Sequence, residues 1–179
     1  MKLTIKVKPI NNFGYIPETL AKGDWIDLRS SMDIHLEAPY AGTLKRKTVK
    51  GNEQRQRNVC FDTAMIPLGI AMKLPKGFEA VIVPRSSMFK KYHIIQSNHI
   101  GVIDNSYCGD GDEWKLPVVA FQETEIKKGE RICQFKIQLS QKATIWQKMK
   151  WLFSNGVKIK KVKSLSGTNR GGFGSTGNV

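Results

Sequence analysis

The chain is expected to be all-β, a barrel or jelly roll of eight or more short strands, and three observations point there. Apolar residues recur at every second position in several runs. Proline and glycine cut those runs every few residues, as at Pro67, Pro75, Gly77 and Pro84. The strand-like segments follow one another without the long amphipathic segments that βαβ units require. At 179 residues the chain can bury one sizeable core within a single domain.

In order, Leu3, Ile5 and Val7 alternate with Lys2, Thr4, Lys6 and Lys8 as a half-buried strand, which breaks between Pro9 and Gly14. DWIDLRSSMDIHL, from residue 24, returns to period two on Trp25, Ile26, Leu28, Ile34 and Leu36. Residues 41–58 carry six basic residues, one acid and few apolar ones, and read as an exposed hairpin or loop. MIPLGIAMKLPKGFEAVIVPRSS, IIQSNHIGVID, LPVVAF and RICQFKIQL supply further short strands. Residues 140–156 hold the one candidate helix, a short one near 142–153 with Ser140 as cap and Ile145, Met149 and Leu152 at helical spacing, although an irregular strand and loop would fit the segment equally. VKIKKVK resumes strand alternation, and SGTNRGGFGSTGNV closes the sequence as a Gly-rich arm over residues 166–179.

Composition bounds the function. The excess of 29 Lys and Arg over 15 Asp and Glu favours an anionic partner, which nucleic acid, nucleotide phosphates or an acidic surface would all satisfy. No apolar run is long enough for a membrane span, and MKLTIKVKPI is not a signal peptide, so a cytoplasmic protein with no membrane partner is expected. Three widely spaced cysteines, Cys60, Cys108 and Cys133, argue against a disulfide framework or a zinc site.

Four groups carry candidate chemistry. Asp104 follows the β-branched pair Val102 and Ile103, so it stands at or near a strand end. There it either takes a proton from an attacking water or caps backbone N–H groups in the turn DNSYCG. Tyr107 packs against a sugar or against the core. Arg85, Ser86 and Ser87 in VPRSSM place a guanidinium fork beside two hydroxyls, suited to a phosphate chain or to a plain strand-end turn. Asp27, between Ile26 and Leu28, meets either a metal-bound water or a nearby Arg. In the arm, Gly171, Gly172, Gly174 and Gly177 permit close backbone approach to a ligand. Arg170, Ser175 and Thr176 offer phosphate donors there, and Phe173 a stacking face. A solvated tail would have the same composition. Asp110, Asp112 and Glu113 lie in a Gly-broken turn too short for a Ca²⁺ loop, and no role follows for them.

The order of DWIDL (24–28), PRSSM (84–88), NHIGVIDNSYCG (98–109), GERICQFKI (129–137) and RGGFGSTG (170–177) resembles the homotrimeric dUTP pyrophosphatases, or dUTPases, and especially their bacteriophage and prophage members. The resemblance implies a distorted jelly-roll barrel over residues 1–165, with 41–58 as a basic insertion and the arm closing over sites shared between subunits. It implies Mg²⁺-assisted hydrolysis of dUTP to dUMP and pyrophosphate in the cytoplasm, that of the host if the chain is phage-encoded. Asp104 then matches the water-activating acid, Tyr107 the platform under the deoxyribose, and Asn98 with the backbone of Gly101, Val102 and Ile103 the uracil reader. Asp27 matches the acid that meets the metal through water and pairs with Arg85. Arg85, Ser86, Ser87 and Gln134 match phosphate positions. Arg170, Phe173, Gly174, Ser175 and Thr176 match the clamp and uracil cover.

The chain departs from the family pattern at Gly23 to Ile26, at Cys108 where an Arg is common, and in the short spacing of RGGFG. The dCTP deaminases share much of this fold, but GFGSTG and the Asp-Asn-Ser-Tyr setting of Asp104 follow the dUTPase pattern. A second expectation, from a different class, is a basic module on this scaffold that binds nucleic acid or a regulatory host protein through residues 41–58 and the later lysines. The five motifs favour the enzyme over nucleic-acid binding.

Overall fold

The computed structural model describes residues 1–19, 23–50 and 52–172. In chain order the elements are β1 (Leu3–Pro9), β2 (Ile26–Arg29), β3 (Ile34–Leu36), β4 (Tyr40–Val49), β5 (Asn52–Cys60), β6 (Thr63–Lys73) and β7 (Phe78–Pro84). After these come α1 (Met88–Tyr92), β8 (Ile94–Gln96), β9 (Gly101–Ile103), β10 (Glu113–Ala120), β11 (Thr124–Ile126), β12 (Arg131–Leu139), α2 (Ile145–Leu152) and β13 (Val157–Lys161).

Two sheets form the body. One has the strand order β13-β1-β6-β10-β8, the other β2-β12-β7-β9. All pairings are antiparallel except β1 with β13. The period-two strands set their faces as the pattern requires: in β10 Trp114, Leu116, Val118 and Ala120 are buried while the residues between them are not. Leu3, Ile5 and Val7 of β1 join one core with Ile26 and Leu28 of β2, Phe78, Ala80 and Ile82 of β7, and Ile132, Phe135 and Ile137 of β12. Trp114 meets Phe135 edge-on at 5.3 Å, which ties the two sheets together. This is jelly-roll packing, with the sheets facing each other and no closed barrel among the described residues.

The basic stretch forms the β4–β5 hairpin, a separate two-stranded ribbon. The expected helix is α2, but its cap is Thr144. The Thr144 hydroxyl accepts from the backbone of Gln147, and the Gln147 side chain accepts the Thr144 N–H at 2.8 Å. Ser140 instead donates its N–H to the Gly77 carbonyl. The five-residue α1 is too short to show helical periodicity and was not foreseen. No described helix is long and apolar enough to cross a membrane.

Glu113 has a structural task. Its carboxylate accepts the Gly69 N–H at 3.0 Å, where β6 turns through φ +68° and the β10 register shifts. Only glycine suits position 69, because a Cβ there would lie 2.3 Å from the Phe13 ring.

Candidate active site

Two groups of the expected residues assemble, at opposite corners of the four-stranded sheet. The first is centred on Asp27 of β2, whose Oδ1 lies 3.0 Å from Arg85 Nε and whose Oδ2 lies 3.0 Å from Arg131 Nη1. The carboxylate is largely buried, at 17% exposure, so the two guanidinium groups replace the water it has lost. Gln134 faces Asp27 across the ladder, and its amide donates to the Pro84 carbonyl at 3.3 Å. Ser86 and Ser87 are exposed just beyond Arg85, with Ser87 at the start of α1. Arg131 was missed from sequence. It opens β12, where Ile132 and Cys133 are both buried and the register with β2 shifts, and nothing local in the sequence shows that it reaches Asp27. Cys133, beneath this group, is fully buried, and that burial, with the nearby Asp27 charge, keeps it a neutral thiol.

The second group lies on β9 and the turn after it. Among the described residues β9 pairs only with β7, which leaves the other edge of Gly101–Ile103 without a ladder partner there. The buried Gln96 stands under the hairpin, donating to the Ile82 carbonyl at 3.3 Å and to Asn98 Oδ1 at 2.8 Å. It therefore fixes the orientation of Asn98, a supporting role no motif announced. A shallow cleft of about 520 Å³ runs from Arg85 and Ser86 to Gln96 and His99.

Asp104 follows β9 directly. Its Oδ1 accepts the Ser106 N–H at 2.7 Å and the Ser106 hydroxyl, and its Oδ2 accepts Arg170 Nη1. Partial burial works to raise the Asp104 pKa, but the Ser106 and Arg170 donors outweigh it and hold the carboxyl below its ordinary range. Of the two alternatives for this residue the turn cap is present, and the same contacts keep the carboxylate ionised. Tyr107 stands half-buried beside it, its hydroxyl donating to the Glu113 carbonyl at 2.9 Å, with burial and the Asp112 and Glu113 charges raising its pKa. A Cβ on Gly172 would come within 3.1 Å of the Tyr107 ring, so the arm passes directly over that ring. Phe173, Gly174, Ser175 and Thr176 lie outside the described residues.

The two groups do not meet within one chain. Asp27 is level with Gln134 and so with Val83, whereas Asp104, one residue past Ile103, is level with Glu79. Three strand spacings across and four residues along separate them by roughly 14 Å and 13 Å, or about 19 Å on the diagonal.

The model of the dUTPase family matches residues 56–177. The chain belongs to the dUTPase family. The SPbeta prophage-derived deoxyuridine 5'-triphosphate nucleotidohydrolase YosS of Bacillus subtilis is 38% identical over 175 residues, covering 98% of this chain and 99% of the relative. The deoxyuridine 5'-triphosphate nucleotidohydrolase of Rickettsia prowazekii is 31% identical over 178 residues, covering 98% and 97%. Among solved structures, the dUTPase of Staphylococcus bacteriophage 80alpha with dUPNHPP superposes with a TM-score of 0.57 at 18% identity, over 97% of this chain and 98% of that one. The dUTPase of Streptococcus mutans gives a TM-score of 0.58 at 17% identity, over 75% and 94%. These structural likenesses establish the jelly-roll dUTPase fold, and the sequence relatives carry the activity. The protein is thus a dUTP diphosphatase.

Proposed function

We propose that this dUTPase hydrolyses dUTP between the α and β phosphates by in-line attack of a water held by Asp104. The water oxygen bonds to the α phosphorus, its proton passes to the Asp104 carboxylate, and the bond to the bridging oxygen breaks to release pyrophosphate and dUMP. The observation that supports this most directly is the ionised Asp104, oriented by Ser106 and set beside Tyr107 at the end of β9. Tyr107 packs under the deoxyribose, where a 2′-hydroxyl would clash. Asn98 and the backbone edge of Gly101, Val102 and Ile103 read the uracil. Arg85, Ser86, Ser87 and Gln134 donate to phosphate oxygens, joined by Arg170, Ser175 and Thr176 of the arm, while Phe173 and Gly174 cover the base.

Among the described residues no three His, Cys, Asp or Glu side chains converge as an all-protein metal cage. The donor set fits Mg²⁺ held mainly by the triphosphate, with Asp27 touching its water shell through lone pairs not used by Arg85 and Arg131. When bound, Mg²⁺ supplies charge screening to the phosphates.

Since Asp27 and Asp104 stand about 19 Å apart by the strand spacings, a working site takes Asp27 and Arg85 from one subunit and Asp104 and Tyr107 from another. A homotrimer in the cytoplasm, with shared sites, follows as part of the proposal. Pyrophosphate release from dUTP, compared with dCTP, dTTP and UTP with and without Mg²⁺, tests the reaction. Equal turnover of UTP would overturn the sugar assignment. Mixing inactive Asp27→Ala and Asp104→Asn subunits tests the sharing: mixed trimers regain activity if sites are shared, and stay dead if each chain carries a whole site.

A further inference from the structure

The acids past Asp104 remain to be placed, and their partners lie in the arm. Asp112 is buried, at 2% exposure, yet no cation lies within 4.0 Å of it among the described residues. Its carboxylate accepts backbone N–H groups instead. They come from Gly109 at 2.8 Å, from Arg170 at 3.0 and 3.1 Å to its two oxygens, and from Gly171 at 3.1 Å. Asp110 grips the arm five residues earlier, its Oδ1 taking the Leu165 N–H at 2.7 Å while Lys8 pairs with the other oxygen at 3.5 Å. That hydrogen bond from Leu165 is the main reason the Asp110 carboxyl lies below its ordinary range. Between the two acids, Gly111 donates its N–H to Asn169 Oδ1 at 2.8 Å.

The glycines in Cys-Gly-Asp-Gly-Asp make the grip possible. A Cβ on Gly109 would lie 2.5 Å from the Asn169 backbone, and one on Gly167 would lie 2.4 Å from the Cys108 carbonyl oxygen. Acids that hold amides therefore alternate with glycines that let the arm lie flat against the loop.

We infer that Asp112, assisted by Asp110, is a positioning residue for hydrolysis: it latches the root of the arm onto the Asp104 loop and so fixes where the Arg170 guanidinium is delivered. Asp112 touches neither substrate nor water. It acts through the main chain of Arg170 and Gly171, the last turn before the phosphate and uracil contacts of the arm. A carboxylate this buried needs donors in place of the water it has lost, and here the arm's backbone N–H groups supply most of them. The latch is therefore selective for the docked arm. It also leaves the Arg170 side chain free to exchange the Asp104 carboxylate for a phosphate while its backbone stays in place.

The kinetic part rests on the assignment of Arg170 to phosphate, so the test separates the two. Backbone hydrogen exchange of the ligand-free enzyme, which needs no assumption about catalysis, should show protection across 165–171 that Asp112→Asn abolishes. Unchanged protection overturns the latch. In dUTP hydrolysis, Asp112→Asn should raise KM and lower kcat in the same proportions as Arg170→Ala. The double variant should be weaker than Arg170→Ala by far less than the product of the two fold-changes, the small remainder coming from the arm contacts beyond Arg170. A double variant weaker by the full product of the two fold-changes would show that Asp112 acts on the core and not through Arg170, and would overturn the positioning role. Full activity of Arg170→Ala, with protection still lost in Asp112→Asn, would sink the phosphate assignment and leave the latch standing. Asn169→Ala, which removes only the clasp to Gly111, should move exchange and KM in the same direction by a smaller factor. It serves if Asp112→Asn does not fold.

Discussion

Asp27 and Asp104 are both acids on the rim of one sheet, and they are held in opposite ways. Asp27 is clasped by Arg85 and Arg131, which emerge from neighbouring strands of the same rigid sheet, and little of it reaches solvent. Asp104 is half-exposed, and its partners are a serine two residues on and an arginine from the far end of the chain. The first acid is fixed when the sheet folds. The second acid is complete only when the arm docks. On the proposed assignment, a site built from both has a preorganised phosphate end and a gated reacting end.

The largest expected effect tests the reacting end. Asp104→Asn keeps the shape of the turn but cannot take a proton. The variant should lose roughly 10²–10⁴-fold in kcat with KM changed by less than a few-fold. Steady-state kinetics with a nucleotide-binding control checks this, and unaltered kcat removes Asp104 from the mechanism. Asp27→Asn comes next and should strike both activity and stability, because it leaves two guanidinium groups facing a neutral amide in a partly dry pocket. A loss of about 1–2 kcal/mol on denaturant unfolding is expected, discounted for the exposure of Arg131, together with a raised KM. Asp104→Asn should leave unfolding nearly unchanged at neutral pH, and a comparable destabilisation would erase the contrast between the two acids.

The sequence made these two ends unequally legible. Strand alternation announced β1 and β13, and the Gly- and Pro-broken cadence announced an all-β body of short strands, because the pleat imposes a period any reader can count. The position of Asp104 past Val102 and Ile103 was equally plain. Arg131 was not, since a cross-strand ion pair depends on register and not on spacing. Asp110 and Asp112 were hidden more deeply. Their partners are backbone amides more than fifty residues away, and an amide carries no residue identity. The start of α2 moved from Ser140 to Thr144 because only Thr144 has Gln147 three residues on to complete the reciprocal cap.

Arg170→Ala sharpens the gating further. Above the ordinary carboxylate pKa of 3.8 the Asp104 clasp is intact, and its contribution to stability is lost only as pH falls through the lowered folded value. Removing Arg170 deletes one of the donors that lower that value. The acid limb of kcat/KM, which reports the free enzyme, should therefore move to higher pH, alongside the rise in KM from the lost phosphate contact. An acid limb that stays in place would mean that Arg170 does not rest on Asp104 in the free enzyme.

The smallest effect isolates the other half of the clasp. Ser106→Ala removes the hydroxyl donor to Asp104 but keeps the Ser106 backbone N–H, and it touches no group assigned to substrate. Burial raises the Asp104 pKa and this hydroxyl is the strongest single cause that lowers it, so the acid limb should move up as it does in Arg170→Ala. KM at neutral pH should stay within about twofold, since no phosphate or base contact is lost and the backbone bond still holds the turn. The two variants thus share a pH signature and differ in KM. If Ser106→Ala also raised KM as Arg170→Ala does, the serine would be shaping the substrate pocket as well as the acid, and the division between a fixed phosphate end and a gated reacting end would have to be redrawn at Ser106.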